Sequence, residues 1–125
     1  MRIYDSNLLI YSFQPAYSFL QADFLQANAY LSNITKLEVL GYQLISQAEK
    51  NYFERLFTLT NFLQIDDVII NEAINLRQMR KMSTGDSIVA ATAKIYNLDV
   101  YTHNTNDFKW ISGLNIIDPL LNSSV

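Results

Sequence analysis

The 125-residue chain contains no cysteine. Disulfides, thiolate metal sites and cysteine nucleophiles are thereby excluded, and the absence fits a reducing compartment. Proline and glycine are scarce, at 2 and 3 residues. That leaves little material for long linkers, and neither a Gly-rich phosphate loop nor a G-x-S-x-G elbow occurs. No apolar run reaches the roughly 18 residues of a membrane span, and the first residues lack a basic segment followed by an apolar stretch and a small-residue cleavage site. The expectation is a cytoplasmic protein without membrane attachment. Charged residues make up only 17 % and the net charge is −3. Bulk positive charge therefore cannot hold nucleic acid, although a nuclease whose carboxylates carry cations is still allowed.

What the chain does have is apolar residues, at 50 % of its length, enough for one core in a single domain over residues 1–125. Short apolar runs alternate with segments of helical period. Strands are expected over 2–5, 29–34, 62–65, 98–102 and 114–117. Helices are expected over 6–13, 16–28, 35–44, 48–61, from Asp66 or Asp67 to about Met82, over 86–97 and over 104–111. The small residues Ala90, Ala91 and Ala93 let the 86–97 helix approach a sheet closely, and Asn97 suits a left-handed C-terminal cap. This alternation predicts an α/β/α sandwich around a mainly parallel five-stranded sheet; pattern alone leaves the strand order open.

An acid sits at four of the expected strand-to-helix junctions: Asp5, Glu38, Asp86 and Asp107. Each has a structural explanation. Thr35 with Glu38, Ser83 with Asp86 and Asn104 with Asp107 have capping-box spacing, and Asp5 stands where Asp caps a helix. Charge near a helix N-terminus contributes about 0.3–1 kcal/mol. Taken together the acids are harder to account for. Ligands bind beyond the carboxyl ends of strands in an open parallel sheet, so the four could share one cleft. Two like charges about 4 Å apart repel by about 4 kcal/mol at an effective dielectric of 20, which exceeds what capping returns. Convergence would require a cation or a raised carboxyl pKa, and an all-oxygen set points to Mg2+ or Mn2+.

In order along the chain, Tyr4-Asp5-Ser6-Asn7, Ser32 to Gly41 centred on Glu38, Asp86-Ser87-Ile88-Val89-Ala90-Ala91-Thr92-Ala93, Thr102-His103-Asn104-Thr105-Asn106-Asp107-Phe108 and Leu114 to Pro119 resemble the successive motifs of PIN-domain nucleases, and among them VapC-type toxin ribonucleases. The resemblance implies a 3-2-1-4-5 sheet and an endoribonuclease that uses Mg2+ or Mn2+ held by Asp5, Glu38, Asp86 and Asp107, with Ser6, Asn7, Thr102 and Asn104 supporting those acids. It also implies an RNA substrate, a small antitoxin partner and a homodimer. The chain departs from the family at His103, where Arg is usual; Arg is a fixed cation that forks onto phosphate, whereas His is charged or neutral according to pH.

Arg77, Arg80 and Lys81 cluster ahead of Asp86. They are either a solvated helix face or, together with His103, contacts to RNA or to a partner. The aromatics Tyr17, Phe19, Phe24, Tyr30, Tyr42, Tyr52, Phe53 and Phe57 follow helical periods, which suggests core packing or a dimer or antitoxin face more than base stacking. Two readings compete with the nuclease. A PIN-like binding module without strong catalysis is one. A Mg2+-dependent phosphoacceptor domain is the other, but it needs an adjacent acidic pair near the first strand, and Asp5 has no acidic neighbour.

Overall fold

The computed structural model describes residues 1–121. Five parallel strands, β1 (Arg2–Tyr4), β2 (Ala29–Ser32), β3 (Asn61–Leu63), β4 (Asp99–Tyr101) and β5 (Ile116–Ile117), form one sheet in the order β3-β2-β1-β4-β5. The helices are α1 (Ser6–Ser12), α2 (Leu20–Phe24), α3 (Asn33–Leu40), α4 (Gln47–Phe57), α5 (Asp67–Met79) and α6 (Thr84–Tyr96), with 3-10 turns at Pro15–Tyr17 and Thr105–Asp107.

Side chains alternate across a strand, and β1 feeds both faces. Ile3 enters a cluster with Ile69, Leu76, Val89, Val100 and Phe108. Tyr4 enters a second one with Leu8, Leu20, Phe24, Leu31, Phe53 and Phe57. Thus α5 and α6 cover one face and α1, α2 and α4 the other, as an α/β/α sandwich requires. Phe24, Phe53 and Phe57 are core residues, not surface for a partner, while Phe19 and Tyr42 are exposed.

Helix boundaries differ from the sequence expectation where side chains compete for backbone groups. The expected 16–28 helix shrinks to the 3-10 turn and α2; Ser18 Oγ donates to the Pro15 carbonyl at 3.0 Å, a local bond that disrupts the helical ladder. The 35–44 helix instead begins at Asn33, because Ser32 caps it by accepting from the Ile34 amide at 3.2 Å. It ends before Gly41, where helix interior is least favoured, so Leu44 lies outside it. The expected 104–111 helix is only the Thr105–Asp107 turn, and Asn104 provides no side-chain cap. Two expectations at α5 and α6 agree with the structure: Asp66 caps Ile69 at 3.0 Å, and Asn97 is left-handed with φ 56°.

At the start of α4, Ser46 and Glu49 form a reciprocal capping box with both bonds at 3.1 Å. Ser46→Ala is expected to lower stability by about 1 kcal/mol, read as a lower urea midpoint with unchanged slope.

Candidate active site

Parallel strands end together, so elements that leave them begin at one edge. Asp5 leaves β1 directly, and α3, which carries Glu38, leaves β2 directly. The Thr105–Asp107 turn follows β4. Helix α6 comes from the other direction. Only Asn97 and Leu98 separate it from β4, so it must end at the amino edge of the sheet and start at the carboxyl edge. Its first turn, with Asp86, therefore faces the other three acids.

The four acids are electrostatically coupled. Asp86 is pushed up to about 6 from an ordinary 3.8, first by burial, then by Asp5 and Asp107, with Ser83 opposing and Glu38 adding to the rise. Asp5 is raised by burial and by Glu38, against the Thr102 hydroxyl and the amides of Ser6 and Asn7. Exposure is graded: Asp5 is buried, Asp86 half-buried, and Glu38 and Asp107 exposed.

None of the four acids acts only as the sequence-level cap. Asp5 occupies the cap position of α1 but makes no side-chain cap bond; its Oδ2 accepts from Thr102 Oγ1 at 3.0 Å. Thr102 is itself fixed, since its amide donates to Ile117 O at 2.9 Å and its Oγ1 accepts from the Asn104 amide at 3.0 Å. Thr35 and Glu38 form no capping box. Both face Ser6, whose Oγ lies 3.1 Å from Thr35 Oγ1 and donates to Glu38 Oε1 at 2.7 Å. Ser83 does cap α6, accepting from the Asp86 amide at 3.1 Å, which makes Asp86 the third helical residue and not the first. Asn7 is exposed and contributes its amide dipole.

Gly85 is a residue that pattern reading missed. A Cβ there would collide with Glu38 Oε2 and stand 2.7 Å from its Cδ and 2.8 Å from its Oε1. Glycine is what lets the Glu38 carboxylate lie against the first turn of α6. The sequence signal was the Gly immediately before Asp86 in a helical stretch where Gly is otherwise unfavourable.

His103 pairs with Asp118, Nδ1 to Oδ2 at 2.9 Å, and meets the Tyr11 ring edge-on at 5.8 Å. Arg77 donates Nε to Met82 O at 3.2 Å, and Arg80 lies 5.6 Å over the Trp110 ring. Arg77, Arg80 and Lys81 line a cavity of about 450 Å3 together with Asp86, Asp107 and Trp110.

The donor chemistry suits a hard cation. Anionic oxygens that raise one another's pKa are relieved by positive charge. Among the described residues, no three His, Cys, Asp or Glu side chains are gathered tightly enough to form a ready coordination sphere. A cation that keeps several waters needs only one or two carboxylates; of the four acids Asp5 and Asp86 are the more buried, and Glu38 and Asp107 are exposed.

A family model described as the PIN domain matches residues 3–114. The fold is similar to a toxin–antitoxin complex from Klebsiella pneumoniae, at 25 % identity and TM-score 0.76, covering 95 % of this chain and 98 % of that one. It is also similar to FitAcB from Neisseria gonorrhoeae (24 %, TM-score 0.75, 96 % and 99 % covered). A third similar structure is VapBC2 from Rickettsia felis bound to a promoter DNA fragment (14 %, TM-score 0.76, 93 % and 96 % covered). No curated protein gives a significant sequence match. No helix among the described residues is long and apolar enough to cross a membrane.

Proposed function

Because this chain belongs to the PIN-domain family, a family of nucleic-acid hydrolases, we propose that it is a metal-dependent endoribonuclease and the toxin of a type II toxin–antitoxin pair. The observation that carries the reading is the set of four acids on elements that begin at the carboxyl edge of the sheet, where burial, Asp5, Asp107 and Glu38 push the Asp86 carboxyl up to about 6. Capping alone does not account for this crowding, and a bound cation would relieve it.

Asp5 and Asp86 would hold the ion, and Glu38 and Asp107 would complete the anionic rim. Mg2+ or Mn2+, when bound, acidifies a water and neutralises phosphate charge. The protein's own groups do the positioning. Thr102 donates to one oxygen of Asp5 and would so orient the carboxylate toward a bound ion. Ser6 fixes the Glu38 carboxylate, and the Asn104 amide steadies Thr102. Asp5 is only 5 % exposed, so little bulk water would compete with it for a bound cation.

The similar structure described as a toxin–antitoxin complex supports a small antitoxin partner; a homodimer in the cytoplasm is part of the same proposal. The expected result with structured and unstructured RNAs is cleavage in Mg2+ or Mn2+ and none in chelator. Cleavage that persists in chelator would remove the metal from the mechanism, and no cleavage of any RNA with either ion would remove the nuclease. Expression in the host should co-purify a small DNA-binding protein.

A further inference from the structure

The cavity formed by the end of α5, the first turn of α6 and the Thr105–Asp107 turn measures about 450 Å3, within the roughly 300–1,000 Å3 of small-ligand sites. Two of the four acids, Asp86 and Asp107, form one part of its wall, and Arg77, Arg80, Lys81 and Trp110 form another. The chain has nine basic residues in all, so three in one cavity is a marked concentration for a protein of net charge −3. The ion pairs among the described residues are Lys50–Glu54, Lys94–Glu72 and His103–Asp118. None involves Arg77, Arg80 or Lys81, although Asp86 and Asp107 share their cavity. Arg77 already donates Nε to the Met82 carbonyl, but none of the three is tied up in an ion pair among the described residues, which leaves their charge available to an anion.

Trp110 adds a flat surface to that charge. It is the chain's single tryptophan. It packs against the core cluster of α5 and α6, and its Nε1 donates to the Asp107 carbonyl at 3.0 Å, which fixes the ring in place beside an acid of the candidate active site. Arg80 lies over the ring, 5.6 Å from its centroid.

We propose that this cavity is a nucleotide subsite in which an unpaired base of single-stranded RNA stacks on Trp110 while Arg77, Arg80 and Lys81 take the adjoining phosphates. The inference rests on the ribonuclease reading above and specifies the substrate. A base competes successfully for the ring: stacking on an aromatic side chain gives about 5- to 150-fold in affinity per base, against about 2- to 5-fold for an exposed cation over a ring. Once displaced, the Arg80 guanidinium is free to fork onto phosphate. A duplex cannot use the subsite, because its bases stay stacked inside the helix. Cations alone would serve an acidic peptide equally well; a pinned indole face beside them favours a nucleobase.

The test measures binding of a labelled short single-stranded oligoribonucleotide to the full-length chain in chelator, so that cleavage does not intervene. An abasic strand of equal length is the comparison. The expected result is quenching of the indole fluorescence and binding about tenfold tighter than that of the abasic strand. Trp110→Ala should erase that difference, and Trp110→Phe, which keeps a ring without the Nε1 bond, should retain it. Lys81→Ala, which removes a cation from the cavity and leaves the ring untouched, should weaken both strands alike. Equal binding of the two strands, a base preference that survives Trp110→Ala, or quenching by an acidic peptide but not by RNA would each overturn the subsite. Cleavage in Mg2+ is scored in parallel. A chain that cleaves without base preference loses the subsite and keeps the nuclease reading; the reverse pattern keeps the subsite and discards the nuclease.

Discussion

Asp86→Asn is expected to slow RNA cleavage in Mg2+ by at least about a hundredfold, since the Lewis-acid contribution it would disturb is worth several kcal/mol and each 1.4 kcal/mol is tenfold. The same substitution should make the metal-free protein more stable at neutral pH. Asp86 has its carboxyl raised to about 6 from 3.8, so between roughly pH 4 and pH 6 the folded state keeps a proton that the unfolded chain has released. Stability then falls as pH rises through that window and stays lower above it. Asparagine never ionises. Thermal melts in chelator should therefore coincide for variant and wild type near pH 4, separate through pH 6 with the variant melting higher, and remain apart above it. Mg2+ added at pH 7.5 should raise the wild-type midpoint and leave the variant nearly unmoved. A variant that cleaves normally, or that is less stable than wild type in chelator at pH 7.5, would show that Asp86 is a cap and nothing more.

Gly85→Ala is expected to lower cleavage by about 10- to 100-fold, the range seen when a group that orients a metal-binding side chain is lost, with little loss of fold stability. The added methyl meets the end of the Glu38 side chain, not backbone. Glu38 is exposed, so its carboxylate swings away and gives up the 2.7 Å bond from Ser6. Alanine favours the helix over glycine by up to about 1 kcal/mol, which offsets the lost bond. Unchanged activity in a variant of wild-type midpoint would mean that the Glu38 position does not matter to the reaction.

The two helical layers were legible because the strands are short apolar runs punctuated by polar junctions, whereas the sheet order came only from motifs that resemble a familiar family. Placement of the acids at one edge follows from parallel topology alone once β1, β2 and β4 are assigned. The boundaries were less legible. Ser18 bonding back to Pro15 and Ser32 capping α3 are choices between chemically similar partners, which sequence spacing does not rank. The Thr35–Glu38 spacing looked like a local cap, yet both side chains answer to Ser6 at the start of another helix. That contact spans about thirty residues of chain and has no local signature. Gly85 escaped for the same reason: its place is set by the Glu38 carboxylate, which belongs to another helix.

His103 has one more consequence. His103 ties the segment after β4 to Asp118, whose other oxygen accepts the Leu120 amide at 2.9 Å. One side-chain pair thus buckles the lip of the cleft to the polypeptide leaving β5, so replacing either partner would release both segments at once.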